Sequence, residues 1–175
     1  MTDTINAKSP TGEKSPAESR SSLTLFMGVE HANNLGNVHG GVLMKLVDEA
    51  GAMAAIKHAR KPCVTVAIDR MTFDHPVRLG ELVTFTARVT RVGRTSIDTR
   101  VVVTAENPIT GETTHTNTAY LLYVALGSDG NPTPVPRLTC ETEEDKRLCT
   151  QAKDRQKLRL LARQQEEENA TSNDV

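Results

Sequence analysis

Residues 32–51 combine side chains and backbone groups that could carry out acyl-transfer chemistry. Asn33 lies in a polar loop, and the adjacent glycines Gly40 and Gly41 stand where an apolar helical pattern begins. The first N–H groups of a helix have no partner within the helix, and the helix dipole makes that end attract negative charge. Because glycine has no side chain, a ligand can approach these N–H groups closely. The pattern therefore predicts a site for an anion or a developing oxyanion.

Asp48 lies about two turns into this helix, among the apolar residues Leu46, Val47 and Ala50. A carboxylate on an apolar helix face is unusual unless it is paired or chemically used. Two interpretations stay open: a structural carboxylate that bonds to backbone or faces water, and a reactive group. Glu49 lies about 100° further around the helix, so it cannot share the position of Asp48 and is interpreted as structural.

The elements that would position these residues follow from the hydrophobic periodicity. Residues 40–58 have a helical pattern with a wide apolar face and several alanines that allow close packing. Strand-like runs cover residues 63–73, 82–92, 95–105 and 113–125, and a shorter run at 23–27 could be a first strand. Residues 92–94 and 107–111 are typical of hairpin turns. One core helix and an antiparallel meander predict an α+β domain over residues 21–126.

The two ends of the chain differ from this core in composition. Residues 1–20 contain few apolar side chains, and we expect them to be disordered. Residues 127–140 contain several prolines and are predicted to form a semi-rigid strap. Residues 141–175 are strongly charged and are predicted to form a helical tail. Its sparse apolar residues leave open whether it packs on a neighbouring subunit or stands in solvent.

The composition excludes several classes of function for this chain. A chain of 175 residues with a formal net charge of −1 fits one domain with tails, and no basic block suggests a nucleic-acid partner. The sequence has no membrane-spanning run and no apolar signal core, so we expect a cytoplasmic protein with no membrane partner. The three cysteines form no close pair in sequence, and the five histidines form no zinc motif. We therefore expect reduced thiols and no metal site.

The combined pattern resembles the hotdog-fold acyl-CoA thioesterases of the brain acyl-CoA hydrolase type. The resemblance covers roughly residues 22 to 150. It is carried by Asn33, Gly36-Asn37, His39-Gly40-Gly41, Asp48-Glu49-Ala50, Val64-Thr65-Val66, Arg70-Met71-Thr72-Phe73, Pro76, Gly80, Asn107-Pro108-Ile109-Thr110-Gly111 and Tyr120-Leu121-Leu122-Tyr123-Val124. It implies an antiparallel sheet wrapped around one central helix and the hydrolysis of acyl-CoA to a free acid and CoA.

The resemblance also implies roles for single residues. Asp48 would activate water or attack the thioester carbonyl directly, and the sequence does not choose between these roles. Asn33 would orient the water or the carbonyl, and the N–H of Gly41 would stabilise the oxyanion. His39 and Gly40 are candidate substrate contacts. Another candidate, for the CoA phosphates, is the turn at Arg94, Thr95 and Ser96. No metal or redox cofactor is implied, because CoA is part of the substrate and product.

A single hotdog protomer leaves its long helix and one sheet edge exposed. The resemblance implies a homodimer as the minimal unit and a homohexamer, a trimer of dimers, as the assembly. Asn33 and Asp48 of one site would then come from different subunits.

The sequence leaves two other functions open. A hydratase or dehydratase of the same fold would pair a histidine such as His39 with an acid. A non-catalytic acyl-CoA sensor would act through the charged C-terminal helix, since residues 1–20 are too short and polar for a DNA-binding module.

Overall fold

A five-stranded antiparallel sheet forms the framework of the molecule. The computed structural model describes residues 12–172, and the side chains of residues 12–169. The strands of the sheet are β2 Ser21–Phe26, β3 Cys63–Phe73, β4 Leu82–Val92, β5 Ser96–Glu106 and β6 Thr113–Ala125. Their order in the sheet is β2-β4-β5-β6-β3. The runs predicted at 63–73, 82–92 and 113–125 are confirmed, and those at 23–27 and 95–105 are each shifted by one or two residues.

The central helix α2 spans Gly40–Ala59 and packs on the concave face of this sheet. Its buried side includes Leu43, Leu46, Val47, Ala50 and Ala54. Alternate residues of β4 meet it: Val83, Phe85, Ala87 and Val89 are fully buried. Strict alternation on β4 and a wide apolar stripe on α2 produce one two-layer core, as the periodicity predicted. The α+β hotdog architecture is thus confirmed.

The C-terminal helix α3, Glu143–Ser172, lies on the opposite face of the same sheet. Charged contacts dock it there. Arg159 pairs with Asp69 on β3 and, at 2.7 Å, with Asp98 on β5. The Arg155 guanidinium lies 3.8 Å from the ring centroid of Tyr120 on β6. The helix therefore packs on its own subunit, which neither sequence interpretation of the tail included.

The expectation of disorder through residue 20 is wrong for the described part of that segment. Strand β1, Glu13–Lys14, pairs in parallel with β7, Arg137–Leu138, in the strap. A short helix, α1, follows at Pro16–Ser19. Backbone and side-chain hydrogen bonds hold residues 13–19 in place, although this segment makes few apolar contacts. Residues 1–11 of the predicted disordered segment lie outside the described residues.

A buried hydrogen-bond chain fixes this N-terminal segment to the end of α2. The carbonyl oxygen of Pro136 accepts from His58 Nε2 at 3.0 Å, so Nε2 carries the proton. Nδ1 of His58 then accepts from the Ser19 hydroxyl at 3.0 Å. Ser19 and His58 are both fully buried. Burial lowers the pKa of His58, and the hydrogen bond to Pro136 only partly opposes this effect.

Candidate active site

Helix α2 begins at the predicted glycine pair, and its first turn is capped by a side chain. His39 has extended backbone angles and accepts the N–H of Gly41 on Nδ1 at 2.9 Å. This satisfies one of the donors that a helix start leaves without a partner. The Gly41 N–H, the predicted oxyanion donor, is therefore occupied by a cap in the free chain. His39 is exposed, so its ring can move away without disturbing the core.

The neighbouring amide is free instead. Within the described residues, the N–H of Gly40 donates to no acceptor. A Cβ at Gly40 would stand 3.6 Å from the ring of Phe73, so the edge strand lies beside this N–H. The helix start thus offers one open donor at Gly40 and one exchangeable donor at Gly41.

Asp48 is held by two hydroxyl groups from two strands. Its Oδ1 accepts from Thr65 Oγ1 of β3 at 2.7 Å and lies 3.1 Å from the Tyr123 hydroxyl of β6. The Tyr123 hydroxyl also lies 2.9 Å from the backbone carbonyl oxygen of Asp48. No described donor reaches Oδ2 of Asp48. The carboxylate is therefore oriented through one oxygen and keeps the other for a ligand.

Tyr123 reaches Asp48 because Gly51 leaves room for it. A Cβ at Gly51 would stand 2.4 Å from the Tyr123 hydroxyl oxygen, which is too close for any side chain. Tyr123 is fully buried. Burial, with the charge of Asp48 as a second cause, raises the pKa of the phenol far above its usual range. The phenol therefore stays protonated and acts as a donor to Asp48.

Sequence reasoning missed Thr65 and Tyr123 as partners of Asp48. Both residues lie in segments that carried the resemblance, but nothing in the chain indicates which strand position faces which turn of α2. Only the register of β3 and β6 around the helix brings the three side chains together.

Asn33 lies in the loop that precedes α2, and its side chain stabilises that loop. Its Oδ1 accepts from the N–H groups of Leu35 at 2.8 Å and Asn37 at 3.2 Å. In the described residues it makes no hydrogen bond with Asp48 and its side-chain NH₂ has no partner. The structure therefore does not join Asn33 and Asp48 within one chain.

The surface around Thr65 and Asp48 is apolar and open. Large apolar side chains remain between about a third and two thirds exposed on α2 (Met44, Met53, Ile56) and on the α2-facing side of the edge strand β3 (Ile68, Phe73). One side of β3 pairs with β6 and the other pairs with no described strand. An exposed edge strand beside an apolar helix face is a ready surface for another chain.

A basic cavity lies at one end of the sheet, between the β4–β5 turn, the strap and α3. Its volume is about 860 Å³, and it is lined by Arg91, Val92, Gly93, Arg94, Pro134, Val135, Arg137, Leu138, Cys149, Lys153, Gln156 and Lys157. No carboxylate is among these residues. Arg94 thus lines the cavity as part of an excess of positive charge.

The other two residues of the predicted phosphate-binding turn have different surroundings. Ser96 lines a neighbouring cavity on the α3 side of the sheet. The carbonyl of Thr95 accepts the N–H of Ala125, which joins β5 to β6. Of the three residues, Arg94 alone lines the basic cavity, and the cavity at Ser96 shares Arg91 and Gln156 with it.

Two negative findings hold for the described residues. No three histidine, cysteine or carboxylate side chains among them are grouped as a metal site would require. None of their helices combines the length and hydropathy needed to cross a membrane.

Comparison with known proteins identifies the family. A model of the Thioesterase superfamily matches residues 35–112, which include Asp48 and Thr65. Protein VdlD of Helicobacter pylori is 36% identical over 138 residues, covering 78% of this chain and 79% of that protein. The cytosolic acyl coenzyme A thioester hydrolase of Rattus norvegicus is 34% identical over 149 residues, covering 84% of this chain and 39% of the relative.

Solved structures agree in fold. A hexameric acyl-CoA thioesterase superposes with a TM-score of 0.83 at 34% identity, covering 86% of this chain and 97% of its own. A variant of the Staphylococcus aureus acyl-CoA hydrolase with coenzyme A bound has a TM-score of 0.85 at 26% identity, covering 91% of this chain and 95% of its own.

The variants of the Staphylococcus aureus hydrolase bear on the site. Three of them replace an asparagine, an aspartate and a threonine by alanine, at the same spacing as Asn33, Asp48 and Thr65 in this chain. The fold, the site sequence and these relatives lead to one assignment. The chain belongs to the hotdog-fold acyl-CoA thioesterases of the thioesterase superfamily.

Proposed function

We propose that this protein hydrolyses acyl-CoA thioesters to a free carboxylic acid and CoA. The observation that carries the proposal is Asp48: one carboxylate oxygen is fixed by Thr65 and Tyr123, and the other is open beside an apolar surface. Named relatives are acyl-CoA thioester hydrolases. A cytoplasmic location is proposed on the same relatives, one of which is named cytosolic.

The geometry supports a route for thioester hydrolysis in which Asp48 takes up one proton and later gives it back. Oδ2 of Asp48 takes a proton from water as the water oxygen attacks the thioester carbonyl. The developing oxyanion accepts from the Gly40 N–H and from the Gly41 N–H once His39 releases it, and such a donor is typically worth about 3 kcal/mol in the transition state. When the C–S bond breaks, Asp48 returns the proton to the CoA thiolate. In this route water, Asp48 and backbone donors suffice, and we propose that no cofactor takes part.

Direct attack by Asp48 on the carbonyl is the alternative use of the same oxygen. It would form a mixed anhydride that water then hydrolyses. A single turnover in ¹⁸O water followed by peptide mapping tests direct attack, because hydrolysis of the anhydride at the Asp48 carbonyl places ¹⁸O in the enzyme. Hydrolysis of the anhydride at the acyl carbonyl would instead label only the fatty acid, as general-base attack does. Turnover in the presence of hydroxylamine, which traps an acyl anhydride as a hydroxamate, is therefore the second measurement, and the general-base route stands if neither label in Asp48 nor an Asp48-dependent hydroxamate is found.

The site is proposed to be completed by a second copy of the chain. Asn33 and Asp48 are not joined within one protomer, and the open face on α2 and β3 needs a partner. We propose a dimer across this face, in which the free Asn33 amide of one chain orients substrate beside the other chain's Asp48. Related solved thioesterases are hexameric, which supports a trimer of such dimers.

The CoA phosphates are proposed to bind at the basic cavity through Arg94. Ile97 lies opposite Tyr123 in the β5–β6 register, and Arg94 precedes it by three residues. The turn is therefore roughly 10 Å along the strand from the position that holds Asp48. A pantetheine arm separates thioester from phosphates in the substrate, so both ends can be bound at once. The acyl chain would lie on the apolar face near Met53 and Phe73.

The first experiment is a thiol-release assay across acyl-CoAs of different chain length. Release of CoA thiol from butanoyl-CoA, with no hydration of crotonyl-CoA, supports hydrolysis over the hydratase alternative. The structure already disfavours that alternative, because His39 caps α2 and pairs with no carboxylate in the described chain. Tight acyl-CoA binding without thiol release would instead support a sensor.

A second experiment tests the shared site. Inactive Asn33→Ala and inactive Asp48→Ala proteins are unfolded and refolded together, so that subunits exchange. Mixed dimers contain one intact site of two, and random reassembly should give roughly a quarter of wild-type activity. If activity stays at the level of the single variants despite proven exchange, both residues act within one chain.

A further inference from the structure

The two hydroxyl groups that hold Asp48 differ in how easily a ligand can replace them. Thr65 is exposed on the edge strand, so water or substrate can compete for its hydrogen bond to the carboxylate. Tyr123 is fully buried on β6, and the hydrogen bonds that it donates go to two atoms of Asp48. The contact with the phenol is therefore the one that persists when substrate enters the site.

The phenol bridges the backbone and the side chain of one residue. Its oxygen lies 2.9 Å from the backbone carbonyl oxygen of Asp48 and 3.1 Å from Oδ1 of the same residue, so one proton is shared between two acceptors. The backbone carbonyl belongs to helix α2. A donor that contacts both groups restricts the side-chain rotamer, which is how supporting hydrogen bonds hold a reactive group in place. Tyr123 therefore fixes the carboxylate relative to the helix.

Two donors on one oxygen also decide where Asp48 can carry a proton. A carboxylate oxygen has two lone pairs, and Thr65 and Tyr123 both donate to Oδ1. A proton on Oδ1 would have to displace one of these donors. Within the described residues no donor reaches Oδ2, so a proton taken from water is directed to that oxygen.

We propose that Tyr123 is a positioning residue of the hydrolytic site, which holds Asp48 in one rotamer and keeps the transferred proton on Oδ2. This role rests on the proposed hydrolytic function. Asp48 then takes up a proton from water and returns it to the leaving thiolate without turning. Without the phenol, Oδ1 has a free lone pair and the carboxylate can rotate, so a fraction of the molecules holds the proton on the wrong oxygen.

The second tyrosine of the chain provides a matched control. The chain has two tyrosines, and both lie on β6. Tyr120 faces helix α3, where the Arg155 guanidinium lies over its ring, so it is on the opposite side of the sheet from Asp48. Tyr123→Phe and Tyr120→Phe therefore remove the same hydroxyl group from the two faces of one strand.

Both variants are compared with the full-length wild-type protein in steady-state thiol release from butanoyl-CoA. Tyr123→Phe should lower kcat about 10-fold to 100-fold, as expected for the loss of a hydrogen bond to a charged group. KM should stay within about twofold, because the phenol is buried and acts through Asp48. Tyr120→Phe should change neither constant. A rise in KM at unchanged kcat, or equal effects of the two substitutions, would overturn the proposal.

Gly51→Ala tests the same contact with the phenol still present, and it carries the test alone if Tyr123→Phe does not fold. A Cβ at Gly51 would stand 2.4 Å from the Tyr123 hydroxyl oxygen, so alanine must displace the hydroxyl group. Both kcat and the free energy of unfolding should fall.

The double variant Gly51→Ala/Tyr123→Phe separates packing from positioning. It removes the atom that clashes with the new Cβ and leaves contacts of 3.1 Å to the Thr99 hydroxyl oxygen and 3.2 Å to the aromatic ring. It should therefore be more stable than Gly51→Ala, while kcat stays as low as in Tyr123→Phe. Recovery of kcat together with stability would show that packing alone sets the rate.

Asp48→Asn, measured in the same assay, separates this role from the function on which it rests. If Asp48→Asn is inactive and Tyr123→Phe keeps the wild-type kcat, hydrolysis through Asp48 stands and the positioning role of Tyr123 is wrong. If a folded Asp48→Asn protein releases thiol at the wild-type rate, the proposed use of Asp48 in hydrolysis is itself wrong.

Discussion

Helices α2 and α3 cover opposite faces of the same sheet and are held there by different forces. Helix α2 packs through aliphatic side chains against a concave face that is almost fully apolar. Helix α3 buries little beyond Leu148 and Ala152 and is fixed by arginines that reach carboxylates and a tyrosine of the sheet. Apolar packing tolerates small shifts, whereas buried ion pairs depend on every partner being present.

The comparison also separates the functions of the two faces. The apolar helix carries one carboxylate, Asp48, whose position the sheet fixes through hydroxyl groups. The ionic face carries several carboxylates, and each of Asp69, Asp98 and Asp145 is neutralised by an arginine. Asp48 differs from these acids in being held by hydroxyl groups, with no arginine or lysine partner among the described residues. The following substitutions test this difference between the two helices.

The largest effect is expected from Asp98→Ala on the ionic face. Asp98 is almost fully buried and bridges Arg91 and Arg159, each at 2.7 Å. Its removal leaves Arg91 without a partner and Arg159 with Asp69 alone, and breaking a buried pair in this way costs about 3–5 kcal/mol. Urea unfolding at neutral pH measures this loss. The control is Glu49→Ala, which breaks the exposed pair with Lys45 and should cost less than about 1 kcal/mol. Similar losses of unfolding free energy in the two variants would mean that the buried ion pairs of Asp98 stabilise the fold no more than an exposed pair does.

Asp48→Asn tests the open carboxylate on α2. It preserves shape but removes the base or nucleophile, and thiol release should fall by at least about 100-fold. The free energy of unfolding should change little, because an amide oxygen can still accept from Thr65 and Tyr123. Glu49→Gln, one residue along, should retain near-normal activity. A folded Asp48→Asn protein with normal turnover would remove Asp48 from the mechanism.

Ser19→Ala tests whether the N-terminal segment, which the sequence predicted to be disordered, contributes to stability. The change removes the hydroxyl that donates to His58, so Nδ1 becomes a buried acceptor without a donor. That should cost about 1–2 kcal/mol in the free energy of unfolding. Ser22→Ala on β2 provides an exposed serine for comparison. If the two substitutions have equal effects, the buried chain through Ser19 contributes nothing to stability.

The smallest effect is a pH dependence that originates in His58. Its pKa in the folded protein lies below the usual value, through burial and nearby Lys14, while Glu18 acts in the opposite direction. As pH falls below about 6.5, the unfolded chain takes up a proton that the folded chain resists, so stability is lost on the acid side. Between pH 7.5 and 5.5 the loss from this group has an upper limit of about 1.4 kcal/mol, which applies if the imidazole stays neutral throughout in the folded protein. The measurement compares this loss in wild type and His58→Gln; identical losses would exclude His58 as the source.

The sequence predicted the apolar contacts between α2 and the sheet well, and the ionic contacts between α3 and the sheet poorly. The spacing of apolar residues predicted α2 and β4, because a helix or strand with one buried face repeats apolar residues at its own period. The hairpin turns were predicted from their turn-forming residues. The apolar spacing also singled out Asp48, because a carboxylate breaks that pattern visibly. The same alternation puts Asp98 on the polar side of β5, yet α3 covers that side and buries Asp98.

The contacts that were missed all join residues far apart in the chain. No local pattern reveals that Ser19 meets His58, that Tyr123 reaches Asp48, or that Arg159 pairs with Asp98. Hydrogen bonds and ion pairs need only one residue on each side and therefore leave no periodic signal. Residues 13–19 were misjudged for this reason, because their order comes from partners far along the chain, such as His58 and Arg137.

The pairing of β1 with β7 has a consequence for the time course of folding. Glu13 lies opposite Arg137, and Lys14 lies opposite Leu138, so two of the most distant described segments form one small parallel sheet. During synthesis the early segment leaves the ribosome long before its partner exists. Strand β1 therefore stays unpaired until the strap has been synthesised. Closing so long a loop is also entropically costly, so the β1–β7 pair should form late in folding and open first. Hydrogen exchange should accordingly be faster at the Arg137 and Thr139 amides, which bond to the early segment, than in β4 and β5.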